Sequence, residues 1–424
     1  MDIGFGEALL VLGLLLVVSA GLSGWLHGTV LSISVLSVLA GIALSFADVI
    51  AVTPGADVVV FIVELALILT LFSDGLLVER ELLTQVWRAP ARALVIAMPV
   101  TLVLLALAAK LLFPVLTWGE AFLLGAVLSP TDPVVTSAVV TAREVPRVIR
   151  HTLNLESGLN DGLALPFVLF FLVLATRSGG AGTEAVHLLG EAVVGALLGA
   201  GLAWIAGRAL SLLPGGGIAA RYEGIYALAL AFASFGLAEV TFGNGLIAVF
   251  VAGIALAVAR HEIPAAFSEF NESVSGTFQV ITFLIFGALI VATGWHGETW
   301  ALIAFIAFAL LVARPLSVLV SFLGLPLPGR QKIFIAWFGP KGVASMLFAL
   351  LVLNSAAPDR SLVFDVASFL ILASILAHGL TDTLGARWLG RLGTSVSGDE
   401  DDVRRGVDAE EEKAAPAVVP PVQQ

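Results

Sequence analysis

Glu156-Ser157-Gly158-Leu159-Asn160-Asp161-Gly162 stands inside an apolar stretch running from 150 to 175, and Ser129-Pro130-Thr131-Asp132-Pro133 interrupts the apolar segment just before it. Ionisable side chains at membrane depth cost about 2.5 to 3.5 kcal/mol each on insertion scales, so where they occur they face a water-filled path and act on ions or protons. The two runs together read as the centre of a membrane transporter for small cations.

Composition agrees. Of 424 residues, 59% are apolar and 12% charged, where soluble chains carry about a quarter charged. The chain reads as an all-α polytopic membrane protein. No basic leader or cleavage site precedes the first apolar segment near Gly6, so that span is expected to be permanent. Cysteine is absent, which excludes disulfides and thiolate metal sites. The net charge of −11 is uneven, because residues 397 to 424 hold eight acidic and three basic side chains, leaving −6 for the rest.

At about 20 apolar residues per crossing, apolar segments fall near 6–22, 28–46, 55–77, 91–112, 119–141, 150–175, 185–212, 222–241, 243–259, 276–293, 298–322, 331–353 and 361–388, thirteen in all. Lys and Arg concentrate on cytoplasmic loops. With the N-terminus outside, thirteen of them, from Arg80 to Arg391, fall on cytoplasmic connections, and only Lys110, Arg177 and Arg360 fall outside. A miscount by one segment would scramble that split. The expected domain boundaries are therefore a transmembrane unit over 1–391, ending in the cytoplasm, and an acidic, Pro/Val-rich tail over 392–424. The tail has too little apolar surface to offset the entropy of ordering, so it is expected to be disordered.

Spans five and twelve carry helix breakers at mid-depth, Pro130 and Pro133 in one, Gly339, Pro340 and Gly342 in the other. Proline removes a donor and clashes with the preceding turn, and backbone groups freed in lipid are tolerated only where they line a cavity or bind something. The two spans are seven apart, the separation that two inverted six-span repeats joined by one linking helix produce. Interrupted helices in corresponding positions of two halves point to a transporter's binding site. Each break also carries one charge. Half-helix ends bear about half a unit, positive at N-termini and negative at C-termini, so Asp132 is expected to neutralise N-terminal ends and Lys341 C-terminal ends where the breaks cross.

In span six, Ser157 and Asp161 are four residues apart and share one helix face, while Glu156 and Asn160 share the adjacent one. A hydroxyl and a carboxylate then meet at one spot, and hard monovalent cations prefer oxygen ligands, as Ca2+ and Mg2+ do. Oxygen from Thr131 would extend the shell, and Glu64 in span three is a further acidic candidate. Arg314 lies deep in span eleven and requires a carboxylate, for which Glu156 is the expected partner. That leaves Asp161 to titrate. Burial favours the protonated carboxyl and a bound cation favours the carboxylate, so one Asp can exchange a proton for a metal ion.

Thr131-Asp132-Pro133, Glu156-Ser157 with Asn160-Asp161, Arg314-Pro315 and Gly339-Pro340-Lys341-Gly342, in this order, resemble the monovalent cation:proton antiporters, the NhaP-type transporters related to eukaryotic Na+/H+ exchangers. The resemblance runs from about the first span to Arg391. It implies a homodimer, each copy with a dimerisation domain and a mobile six-helix core working as an elevator. It implies that Asp161 binds the ion, with Ser157 and the Thr131 main chain as co-ligands. Asn-Asp in place of Asp-Asp implies electroneutral exchange, one cation per proton. Phe72-Ser73-Asp74-Gly75 also fits, with Asp74 as a residue of the cytoplasmic funnel. Lys341 stands where many relatives carry Arg, which retains the charge but not a bidentate contact.

His378, alone in span thirteen, reads as a satisfied polar contact rather than a pH sensor. The resulting expectation is Na+ or Li+ exchange for H+ at the cell membrane, with K+/H+ exchange as the alternative and a channel or sensor on the same scaffold as a third. A channel would need a continuous pore lined by repeated acceptors or charge rings. No nucleotide-binding loop, metal triad or Ser/His/Asp arrangement suggests an enzyme, a cofactor or a nucleic-acid partner.

Overall fold

Within a bilayer a chain must satisfy every backbone N–H and C=O internally, which selects helices for apolar runs of this length. The computed structural model describes residues 10, 13–18, 21, 33–53, 55–82, 87–132, 145–176, 181–211, 222–259, 265–295 and 297–393. There the helices follow as α1 (Ile33–Phe46), α2 (Asp57–Leu82), α3 (Arg88–Leu112), α4 (Trp118–Val127), α5 (Arg147–Thr176), α6 (Ala181–Ser211), α7 (Glu223–Glu239), α8 (Gly245–Ala259), α9 (Ala265–Thr293), α10 (Thr299–Ser321), α11 (Gly329–Trp337), α12 (Val343–Leu353) and α13 (Arg360–Gly393). Seven helices are long and apolar enough to cross a membrane, and Val35–Phe46, Trp118–Val127, Gly245–Ala259 and Val343–Leu353 are shorter apolar helices. Each expected span from two to thirteen has its helix or half-helix, including the short segment near 243–259, which forms α8. Span one is described only in part, and the second half of span five with Pro133 lies outside the described residues. So does the tail beyond Gly393.

The two halves repeat one another at particular residues. Gly41 of α1 lies so close to α9 that a Cβ there would sit 2.1 Å from the Leu284 carbonyl oxygen, and Gly287 of α9 stands likewise 2.2 Å from the Val38 carbonyl. The same crossing recurs 212 residues on, with partners exchanged: Gly253 of α8 is placed 2.5 Å from the Phe72 carbonyl of α2, and Gly75 of α2 is placed 2.4 Å from that of Phe250. Small residues let two backbones approach where any side chain would hold them apart. Exchanged partners at a constant offset are the signature of two inverted copies.

A second repetition lies in α3 and α10. Each contains one π-helical turn, Ala93–Ala97 and Ala309–Ala313, one residue ahead of Pro99 and Pro315 respectively. Proline has no N–H for the carbonyl four residues back, and a widened turn absorbs the mismatch without ending the helix. The second of these places Arg314 at the start of the resumed helix.

Spans five and twelve are both broken. After Val127 the residues through Asp132 are not helical, and between Trp337 and Val343 the chain is again unwound. The N-terminus of α4 is closed by a capping box in which Thr117 and the fully buried Glu120 satisfy one another. The other oxygen of Glu120 accepts the Asp359 N–H at 2.7 Å, tying the first repeat to the loop before α13.

Candidate functional site

The two unwound segments meet. Asp132 N–H donates to the Pro340 carbonyl at 2.9 Å, and Asp132 Oδ2 accepts the Val343 N–H at 3.0 Å. Val343 is the first residue of α12, so the carboxylate sits on a helix N-terminus as its sign requires. Lys341 Nζ donates to the Pro130 carbonyl at 3.0 Å and to the Ser129 carbonyl at 3.3 Å, just past the C-terminus of α4. Each charge therefore serves the half-helix of the opposite repeat. Gly342 is required by this approach, since a Cβ there would lie 2.1 Å from Asp132 Oδ2.

Helix α5 lines the crossing. Asn160 Nδ2 donates to Thr131 Oγ1 at 2.7 Å and to the Thr131 carbonyl at 3.2 Å, and Ser157 Oγ lies 3.4 Å from Thr131 Oγ1. Asp161, one residue on, is 7% exposed, and its Oδ1 is buried with no hydrogen-bond partner among the described residues. Its electrostatic neighbours are Asp74, Asp132 and Lys341. A buried carboxylate oxygen without a donor is costly unless a proton or a cation completes it. Pro166 lies inside α5, so the Gly162 carbonyl, next to Asp161, also loses its helical donor. Across from it, the Phe250 ring of α8 lies where a Cβ on Gly162 would be 2.3 Å away, placing an apolar cover beside the carboxylate.

The expected pair forms: Arg314 Nη1 donates to Glu156 Oε1 at 2.7 Å, with both side chains buried. Arg314 also reaches toward the Phe338 carbonyl at 3.4 Å, and Gly339 leaves room for it, because a Cβ there would lie 1.7 Å from Arg314 Nε.

The two acidic candidates of α2 are placed differently. Asp74, expected in a funnel, is half-buried, has a buried Oδ2 without a hydrogen-bond partner among the described residues, and neighbours Asp161 itself. Glu64 is exposed, ten residues before Asp74 on α2, about 15 Å away along the axis, and is not brought to Asp161. The residues that sequence reasoning missed are Ser374, whose hydroxyl accepts the Lys341 N–H at 2.9 Å, and Phe250. Ser374 stands four residues before His378, one turn away on the same face, and that spacing was the available signal.

The transmembrane family described as the sodium/hydrogen exchangers matches residues 10–384. The chain belongs to the sodium/hydrogen exchanger family. Among relatives of this exchanger is the K(+)/H(+) antiporter NhaP of Alkalimonas amylolytica, 27% identical over 330 residues, which are 77% of this chain and 57% of the relative. Another is an uncharacterised Na(+)/H(+) exchanger of Mycobacterium tuberculosis, 31% identical over 300 residues, 63% of this chain and 54% of the relative. The exchanger chain thus spans about half the length of the curated relatives it matches. The solved sodium proton antiporter MjNhaP1 of Methanocaldococcus jannaschii shares the fold, with a TM-score of 0.73 at 20% identity over 91% of this chain and 99% of that one. The chain is accordingly a multi-span membrane protein of an antiporter family.

Proposed function

We propose that this protein exchanges Na+ or Li+ for H+ across the cell membrane, with Asp161 holding the proton and the cation in turn. The observation that carries the reading is the buried Asp161 Oδ1, without a hydrogen-bond partner among the described residues, on the helix whose Ser157 and Asn160 meet Thr131 at the crossing of two broken helices. A carboxyl there is satisfied by a proton or by a metal ion, and with neither it is an uncompensated buried charge. Loading one therefore expels the other. Because Asn160 is neutral and already donates to Thr131, one carboxylate cycles, and one cation moves per proton without net charge.

Access from the two sides alternates by sliding of spans four to six and eleven to thirteen against the rest, with the Phe250–Gly162 contact on the sliding face. The working protein is a homodimer whose other spans form the stationary domain. The transmembrane unit covers 1–391, with the N-terminus outside and the tail in the cytoplasm. A second reading keeps this machinery and moves K+, supported by the likeness to a relative named as a K(+)/H(+) antiporter.

The experiment is a pH-gradient assay in proteoliposomes with Na+, Li+ and K+ added singly. Dissipation by Na+ and Li+ supports the first reading, dissipation by K+ alone supports the second, and none with any cation rejects both.

A further inference from the structure

The second break is held by side chains to which no role is yet given. His378 and Ser374 are 3% and 0% exposed. His378 Nε2 lies 2.9 Å from the carbonyl oxygen of Trp337, the last residue of α11. Ser374 Oγ accepts the N–H of Lys341, on the far side of the same break, at 2.9 Å, and lies 3.2 Å from His378 Nδ1. One turn further on, Thr381 Oγ1 accepts the Trp337 indole N–H at 3.0 Å. Positions 374, 378 and 381 form one stripe along α13, and all of it faces the interruption between α11 and α12.

Hydrogen-bond accounting assigns the proton. Nδ1 also lies 2.7 Å from the Ser374 carbonyl, but that carbonyl is already served by the α13 ladder, whereas the carbonyl of Trp337 is a helix-end orphan. Donation from Nε2 satisfies the Trp337 carbonyl, while Nδ1 lies within hydrogen-bond distance of both the Ser374 hydroxyl and the Ser374 carbonyl. The charged groups facing the ring are Arg314 from α10 and Lys341 from the break.

We infer that His378 and Ser374 are positioning residues for the ion site: they fix the main chain of span twelve on both sides of its break and thereby place the Lys341 ammonium. The consequence is transmitted through named atoms. Lys341 Nζ holds the Ser129 and Pro130 carbonyls, Thr131 follows directly, and its oxygens accept from Asn160, the residue before Asp161. Loss of the His378 donor frees Trp337 and Lys341, and the cation ligands on span five lose their register. This inference rests on the exchange reading.

The test uses the full chain in proteoliposomes, comparing wild type with H378L, H378Q and S374A for apparent KM, maximal rate and pH profile with Na+ and K+. H378L is expected to raise the apparent cation KM about tenfold, S374A about threefold. H378Q, which can still donate to Trp337, should recover most of the loss and keep the wild-type pH profile. A wild-type KM in H378L, with only a lower melting temperature, overturns the proposal in favour of a merely structural role, as does an H378Q as impaired as H378L. If H378L does not fold, S374A decides by the same criterion. If wild type itself exchanges nothing, the exchange reading has failed, and cation-induced thermal stabilisation of wild type against S374A still judges the positioning: an equal shift in both, or none in wild type, overturns it.

Discussion

The two unwound segments are built alike and finished differently. In span twelve the groups that hold the break have partners: the Trp337 carbonyl meets His378, the Lys341 N–H meets Ser374, and the Lys341 ammonium meets two carbonyls. In span five the partner helix offers Asn160, which ties down Thr131, and next to it Asp161, whose Oδ1 has no hydrogen-bond partner among the described residues. A fully satisfied buried network is rigid, and a half-satisfied one is worse than an apolar core. The difference teaches where the protein is built to hold itself and where it leaves a bond to be completed from outside. On the proposed reading, the break beside the incomplete acid is the one that takes the cation.

The largest effect is expected from removing that difference. Asp161→Asn supplies a neutral amide that neither releases a proton nor binds a cation, and exchange should fall to background, a loss of at least about 100-fold, while expression remains normal. Cation-driven proton flux in vesicles reads it. Retained flux would remove the distinction between the two breaks.

Next comes the ion pair between the repeats. Arg314→Ala leaves Glu156 buried without its cation, and breaking a buried pair costs about 3 to 5 kcal/mol. The detergent-solubilised protein should lose several degrees of melting temperature, and Glu156→Gln in the same chain should restore part of it. A single variant as stable as wild type would mean that Glu156 has another partner.

Much of this was legible beforehand, for a physical reason. A charge in an apolar run is so costly that its partner can be sought by elimination, which is how Arg314 leads to Glu156 and how Asp132 and Lys341 lead to opposite half-helix ends. Span number followed from hydropathy and loop charge, and the short α8 kept its place because its connections balance. What stayed hidden were contacts that carry no such penalty signal. The Ser374 hydroxyl can satisfy itself on its own helix, so its spacing from His378 puts the two on one face without naming Lys341 as the partner. Phe250 is one apolar residue among many, and its place against Gly162 depends on tertiary approach. Glu64 and Asp74 lie on one helix, and their difference in exposure, Glu64 exposed and Asp74 half-buried, depends on which neighbours pack against each turn. The glycines at 41, 75, 253 and 287 are four of 43 in the chain, and only their carbonyl contacts single them out.

A gentler change sharpens the comparison by making the first break more acidic. Asn160→Asp adds a second carboxylate beside Asp161, while Thr131 loses its amide donor. The total rate should fall only a few-fold, because an acceptor-only side chain costs one or two hydrogen bonds, but an imposed membrane potential should now change the rate. Voltage-independent exchange in this variant would mean that the residue at 160 does not set the charge moved per cycle.

The smallest effect belongs to the tie between repeats at the end of α4 distant from the breaks. Burial, and after it the Glu120 carboxylate, raise the carboxyl of Asp359 above its ordinary value. A raised acid binds its proton more tightly folded than unfolded, so its contribution to stability is present at low pH and is lost as pH rises through the window between the two values. Asp359→Asn removes that loss while keeping the backbone N–H that Glu120 accepts. At neutral pH the variant should match or slightly exceed wild type, within about 0.5 kcal/mol for a largely solvated position, and its melting temperature should vary less as pH rises from the ordinary Asp value of about 3.9 upward. Exchange should be unaffected, since neither break is touched. A pH dependence as steep as wild type would move the acid-sensitive contact elsewhere, and a change in cation KM would mean that this distant tie helps to set the geometry of the crossing.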